Sequence, residues 1–536
     1  MDKKKETILI VITLFVFGYF IVRATYAYFQ SRSDGSSNVD IKLTTYTTDL
    51  LTFETGDAIN ITADQETFGK DKGNRSSSTF AKAILMANNM TNVAKDNYYV
   101  YLNIESNDFT YTTTGKPELV LQVTDNSGNP VTSIDGLTYV TTVDGSGTSI
   151  SGFDITKKSG LITLVNNKEI SASPRIEEQY NVTLVLINYD FDQNNNAGKS
   201  FNAKLMIQKD KIKETIAMVC SNGQSLSDCI KSMNGKDDTL YYHDASLTNG
   251  AGDNSYRYAG ASDQVNNYVC FGSTQSPCPT DNLYRIIGVF GDRVKLIKSD
   301  YAISALLGTD GDYKAAYSGI TTKYKGSLST SDIDGYMWNY NGLSDKSINS
   351  GWGSNTWSTS LLNKTNLNTN FITNIGAEWA NKIDMTTWKV GGNTFANIAT
   401  QSAKPVYQNE IVNPVTTNST DNKTEYSAKI GLMYASDYGF AAAPSAWTNV
   451  LYNYSGEDIK NVNWMYMGIF EWTISRSDRN ASCVFNVSDI GDVYDSNANN
   501  AFGVRPSFYL NSLIIYSSGS GTSSDPIRIA DWLIVL

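Results

Sequence analysis

The sequence holds one histidine, His243, in 536 residues. A zinc site built on two or three imidazoles is therefore excluded, and any histidine-dependent catalysis has to run through that one side chain. Charge is scarce as well: 18% of residues are Asp, Glu, Lys or Arg, below the roughly 25% usual in soluble domains. Basic residues number 43 against 54 acidic ones, a formal charge of −11. That sign disfavours a nucleic-acid partner, which needs clustered Lys and Arg against its phosphates. Apolar runs of membrane-spanning length are equally rare, with one at the N-terminus and none downstream.

Aromatics are abundant, at 12% of residues with 33 Tyr, so the chain can fill large cores and is not a disordered one. Its length predicts two to four domains at roughly 150 residues each. Lys3, Lys4 and Lys5 precede the apolar run from Thr7 to Val22. Basic residues ahead of such a run keep the N-terminus in the cytoplasm and send the rest outward. Sixteen helical residues span about 24 Å, short of the ~30 Å hydrocarbon core, but extension to Phe29 makes the run long enough. Residues 1–30 are thus a transmembrane or signal helix. The protein is expected at the cell surface on a single-pass anchor, or secreted after cleavage near Thr25-Tyr-Ala27, a small-residue site.

Residues 31–40 read as a polar linker. From 41 to 210 the periodicity is two: Val182, Leu184 and Leu186 alternate with their neighbours, as do Phe201, Ala203, Leu205 and Ile207. Turn clusters such as Asp144-Gly-Ser-Gly147 separate these runs, which predicts an Ig-like β-sandwich. Residues 211–237 switch to helical spacing and read as a connector. From 238 to 536 the chain reads as α+β: a Gly291-Asp292 hairpin links two β-rich runs, Ser358 to Ile383 has spacing for two short helices, and strands are expected over Phe502–Ile515 and Pro526–Val535. The whole is predicted to be multidomain and mainly β.

In this last block Tyr242-His-Asp244, Asn267-Tyr-Val-Cys-Phe-Gly272, Asn282-Leu-Tyr-Arg-Ile-Ile-Gly-Val-Phe290, Glu471-Trp-Thr-Ile-Ser-Arg476 and Gly503-Val-Arg-Pro-Ser-Phe-Tyr-Leu510 follow one another as a series. Together they resemble a group of uncharacterised exported proteins of Gram-positive-type bacteria, whose domain looks distantly like the C-type-lectin-like fold shared with formylglycine-generating enzymes. The resemblance implies a domain that binds a ligand through its loops. The leader, with Ala24-Thr-Tyr-Ala-Tyr-Phe29, is similar to that of camelysin-like and matrix-fibre exported proteins, which implies a sandwich behind it. With one histidine no metal site is carried over.

Cysteines in an exported chain meet an oxidising space. Cys270 and Cys278 enclose a short loop with Gly and Pro, and Cys220 and Cys229 flank Asn222-Gly223, so both pairs are candidate disulfides; Cys483 is left over as a small buried hydrophobe. His243 beside Asp244 could form an acid–base dyad, though the flanking Tyr241 and Tyr242 favour a packed loop. Asn194-Asn-Asn-Ala-Gly-Lys-Ser200 lacks the first glycine of a phosphate loop and reads as a hairpin loop between strands. Asp437 and Glu471 are the candidate paired carboxylates by location alone, and Arg505 reads as a strut. No cofactor motif is present, and a loop calcium ion in the lectin-like domain stays open.

For the binding face, the Ser/Asn-rich loops 343–357 and 474–500 are the candidates. They carry Trp352, Trp357, Arg476, Asp478 and Arg479, residue types that dominate binding hot spots. The clustered Trp are otherwise core. Three classes follow: a non-enzymatic adhesin that binds a glycan or a cell-surface protein through its head, with the membrane as second partner; a matrix or pilus-like subunit assembling through its sandwich; and, least supported, an enzyme on the lectin-like fold.

Overall fold

Strict alternation of small or apolar side chains carries the first half of the chain into strands. Thr79, Ala81, Ala83 and Leu85 are buried along one strand while the residues between them face outward, which is the period of a half-buried sheet. The computed structural model describes residues 50–531 except 65, 70–71, 88–92, 316–332, 348–350 and 415–422. The expected leader, linker and terminal residues 532–536 lie outside the described residues. Among those described, no helix is long and apolar enough to cross a membrane. The chain divides into two units, one ending at Lys211 and one beginning at Ile212.

The first unit consists of β1 (Leu50–Thr55), β2 (Ile59–Thr62), β3 (Arg75–Met86), β4 (Ala94–Asn107), β5 (Leu119–Thr124), β6 (Thr138–Val143), β7 (Ser149–Asp154), β8 (Gly160–Ala172), β9 (Arg175–Leu186) and β10 (Ser200–Gln208). They form two antiparallel sheets, ordered β1-β3-β9-β5-β7-β6 and β2-β10-β4-β8. Leu85, Leu121, Phe153 and Leu184 from the first sheet share one core with Tyr98, Leu102, Ile170 and Phe201 from the second, so the unit is a β-sandwich. The Asn194–Ser200 run is no hairpin loop. It joins β9 to β10, which lie in different sheets, so it carries the chain from one layer to the other.

In the second unit a seven-stranded antiparallel sheet contains β11 (Leu240–His243), β12 (Ser255–Tyr258), β13 (Tyr268–Cys270), β14 (Leu283–Phe290) and β15 (Arg293–Lys298). The expected hairpin at Gly291-Asp292 joins β14 to β15. Next to β15 lies Ser507–Tyr509, and beyond it Ile430–Gly431. A large apolar core with Trp338, Trp357, Trp388, Trp447, Trp464 and Trp472 fills most of this unit.

Four sequence expectations change here. The helical 211–237 segment is no free connector: Ile216, Leu226, Cys229, Ile230 and Met233 sit in the core of the second unit, and Gly223 N donates to Tyr516 O at 2.9 Å. Helices as short as Ile216–Val219 and Leu226–Lys231 do not hold alone in water and need such packing. Ser358–Ile383 holds two short helical pieces as expected, but the first is π-helical over Leu362–Phe371 before Ile372–Asn374, and the second is Ala377–Ala380. Phe502–Ile515 is split, with strands at Ser507–Tyr509 and Ile514–Ser518, and the last described strand is Arg528–Asp531. About half of the supposed loop 474–500 belongs to a three-stranded sheet of Glu471–Arg476, Cys483–Val487 and Val493–Asn497.

Both anticipated disulfides are present, Cys220–Cys229 and Cys270–Cys278, with Cα separations of 5.4 and 5.9 Å, and Cys483 is buried and free. They point to an oxidising, extracytoplasmic compartment. Non-reducing peptide maps should show these two links and no other. Replacing Cys220 and Cys229 together by Ser should lower stability by about 2–3 kcal/mol, the loop-entropy value for a link of this span; an unchanged denaturation midpoint would contradict it.

Candidate functional site

The ionisable groups that sequence offered for chemistry are taken up by the core. His243 is fully buried, its Nδ1 accepts from Ala251 N at 3.0 Å, and its ring lies against Phe440 and Trp447. Burial first, then the Arg257 guanidinium, push its pKa down to about 3, so it stays neutral. Asp244 turns away, its Oδ1 accepting from Ser246 N, Ser246 Oγ and Leu247 N. The two side chains form no dyad.

Asp437 is buried with two cations: Lys295 Nζ donates to its Oδ2 at 2.6 Å, and Arg257 Nη1 to its Oδ1 at 3.3 Å. Glu471 receives Arg505 as a fork, Nε to Oε1 at 2.7 Å and Nη2 to Oε2 at 2.9 Å. Arg505 is thus the strut that its strand position suggests, and neither carboxylate is open to a substrate. Among the described residues no group of three or more His, Cys, Asp and Glu converges as a metal site would require.

Two of the five residues assigned to the binding face are misplaced in that assignment. Trp357 is 2% exposed and packs 4.8 Å from Trp338. Arg476 is also 2% exposed, because it ends the strand Glu471–Arg476 instead of following it. An arginine held on a buried strand can be a brace but not an exposed contact. Trp352 is 50% exposed, with its carbonyl taken by Asn499 N at 3.1 Å. Asp478 is half-buried and Arg479 is exposed.

Asp478 and Arg479 lie in the turn between Glu471–Arg476 and Cys483–Val487, and there the structure assembles a cluster. Gly391-Gly392-Asn393-Thr394 passes alongside that turn: Asn393 N donates to Arg476 O at 2.9 Å and Asp478 N to Asn393 O at 3.0 Å, a parallel bridge opposite Ser477. Gly392 has φ +142, and a Cβ there would stand 2.3 Å from Arg476 Cγ and O, so only glycine fits the approach. The chain then enters the helix Phe395–Thr400. Thr394 Oγ1 caps it by accepting from Asn397 N at 2.9 Å, and Asp478 Oδ1 accepts Phe395 N at 3.1 Å. Both devices satisfy first-turn N–H groups that have no partner inside the helix.

So held, Phe395 meets two tyrosines from elsewhere in the chain. Its ring centroid lies 5.7 Å from Tyr494 in an edge-to-face arrangement and 6.5 Å from Tyr452, with the two tyrosines 5.9 Å apart. The Arg479 guanidinium lies 4.9 Å above the Phe395 ring. Asp495, buried, accepts from Ser477 Oγ at 2.8 Å and from Arg479 Nη1 at 3.4 Å, and it and Tyr494 hold the Arg479 pKa above its usual value, Tyr494 first. Phe395 and Tyr494 are half-buried, and Tyr452 is 39% exposed. Three rings and a fixed guanidinium on one surface can stack on an apolar face of a ligand while offering a hydroxyl and N–H donors at its edge.

Sequence reasoning found Asp478 and Arg479 but missed Phe395, Tyr452, Tyr494 and Asp495. The Gly-Gly-Asn-Thr run ahead of Phe395 was the one available signal, a turn followed by an N-cap. The meeting of the tyrosines is tertiary and has no sequence signature.

Gly392→Ala should cost about 1–3 kcal/mol, the range for forcing an extra methyl into a filled space, and should reduce the near-ultraviolet circular dichroism of the ring cluster. A variant with native stability and spectrum would contradict the close approach at Arg476. Comparison of the chain with family models, curated proteins and solved structures returns no match.

Proposed function

We propose that the chain is an exported, surface-anchored bacterial binding protein: a membrane or signal leader, an Ig-like sandwich as stalk, and a lectin-like head that binds a glycan or a glycan-bearing cell-surface protein. One observation carries the binding reading, the surface cluster of Phe395, Tyr452, Tyr494 and Arg479. Aromatic faces cover the apolar CH groups of a pyranose, and a guanidinium fixed at their edge donates to ring hydroxyls. Asp478 and Asp495 beside it balance the arginine, and the chain carries −11 overall, which favours a neutral sugar over a polyanion. The two disulfides support a working place outside the cytoplasm. A non-enzymatic role is favoured because His243, Asp437 and Glu471 are committed to the core.

A glycan array probed with the full-length protein tests this. Binding to neutral glycans is expected, and Tyr452→Ala or Arg479→Ala should weaken it by roughly tenfold or more, the effect of removing a hot-spot side chain, with little change in melting temperature because both residues are exposed. Retained affinity in both variants would remove the cluster as the site. Absence of any glycan signal would remove the sugar as the ligand.

A further inference from the structure

Glu410 is a buried acid without an ion pair among the described residues. It sits on the helical run Ala403–Tyr407, which widens into a π-helical turn over Gln408–Val412. Such turns are rare, and they occur frequently at functional sites. The Glu410 Oε2 accepts Ser436 N at 3.0 Å, while its Oε1 is buried with no hydrogen-bond partner. A carboxylate so placed is costly, and the group relieves that cost by holding its proton.

The groups that face it supply no free positive charge. From the helix Ala435–Ala441 and its N-cap come Asp437 and Tyr434, and Asp437 already holds Lys295 and Arg257. The strand Glu471–Arg476 presents the Ser475 hydroxyl, and Arg476 beside it lies against Gly392. On the run itself Tyr407 stands 5.3 Å from the Arg257 guanidinium, which Asp253 also pairs. Burial raises the Glu410 pKa from 4.5 to about 7, with the charge of Asp437 acting in the same direction and Ser475 and Ser436 opposing it.

Three ties join this run to the ring cluster. Just before it, Gln401 O accepts the N–H of Leu451, the neighbour of Tyr452, at 3.2 Å. In its middle, Val406 O accepts Asn393 Nδ2 at 3.0 Å. Just past its end, Pro414 lies so near Gly391 that no Cβ would fit there. The run also meets the helix Ala435–Ala441 closely, since a Cβ on Gly439 would stand 2.8 Å from both Ala403 Cβ and Leu451 Cδ2.

We propose that Glu410 is a proton-controlled latch on the ring cluster. Neutral, it lets the 403–412 run close on the helix Ala435–Ala441 and support the loops of Phe395 and Tyr452. Ionised, it favours an opened run in which the carboxylate reaches water and those loops lose that support. In the opened run the carboxyl returns to its ordinary 4.5, below the value of about 7 in the closed one. The closed form is therefore fully favoured below about 4.5 and loses ground by up to about tenfold per pH unit until about 7, above which opening levels off. The cluster is held best in mildly acidic surroundings, whatever ligand it takes.

Amide hydrogen exchange of the full-length chain, corrected for the intrinsic effect of pH, tests the latch. Between pH 5 and pH 8 the opening constants at Val406–Val412 and at Leu451 should rise by roughly fifty- to a hundredfold. Sub-denaturing urea should leave them unchanged at each pH, because a local opening exposes little surface. Glu410→Gln, with Glu410→Leu as a second neutral variant, should abolish the rise. A pH-independent wild-type chain would overturn the proposal, as would a rise that persists in both folded variants. Urea sensitivity equal to that of the strand Cys483–Val487 would mean whole-unit unfolding in place of a latch, and a Leu451 amide that does not follow Val406–Val412 would sever the link to the cluster; either result overturns it.

Discussion

The candidate site depends on one close approach of backbone to backbone, the passage of Gly392 and Asn393 against Arg476, Ser477 and Asp478. The hydrogen bonds there join a loop, a helix N-terminus and a strand end. Three of the four cluster residues hang from something this approach fixes. Phe395 starts the helix that Thr394 and Asp478 cap, and Arg479 leaves the turn that Asn393 grips. Asp495 ties that turn to the strand carrying Tyr494 through Ser477 Oγ. Ordering four side chains costs entropy, and a surface cluster already braced from beneath incurs less of that cost when it binds.

Elsewhere in the second unit the fold solves a different problem, that of burying charge. A lone buried ion is costly, and a buried pair is tolerable only when its remaining hydrogen-bonding positions are filled. Asp437 meets this condition with Lys295 and Arg257, and its Oδ2 also accepts Tyr434 N at 2.9 Å. Arg257 in turn reaches Asp253 Oδ2 at 2.6 Å, so two cations balance two carboxylates. Glu410, which pairs with no cation among the described residues, shows the alternative: burial raises its pKa to about 7. These pairings leave Asp437 and Glu471 closed to a substrate.

The elements legible in sequence were those with a local period or local closure. Alternation located β9 and β10, the Gly291-Asp292 link located the β14–β15 hairpin, and short spacing located both disulfides. What stayed hidden is tertiary. Apolar spacing over Ser358–Ile383 located two short helices but could not tell that the first is π-helical, because either helix type buries one face. Ser- and Asn-rich composition made 474–500 look like loop, although those side chains face a buried interior: Asn486 and Ser477 are fully buried strand or turn residues. Arg476 was placed one step too late for the same reason. Charge and polarity argue for exposure only when nothing inside is there to receive them.

Amide hydrogen exchange at Asn393, Phe395 and Asp478 tests most directly whether the cluster is held in place before any ligand arrives. Exchange as slow as that of the buried strand Cys483–Val487 is the expected result, since all three N–H groups are bonded across the approach and opening it would require the turn to separate from the loop. Exchange at the rate of a free loop would contradict a preformed site and leave the three rings as a chance meeting on a mobile surface.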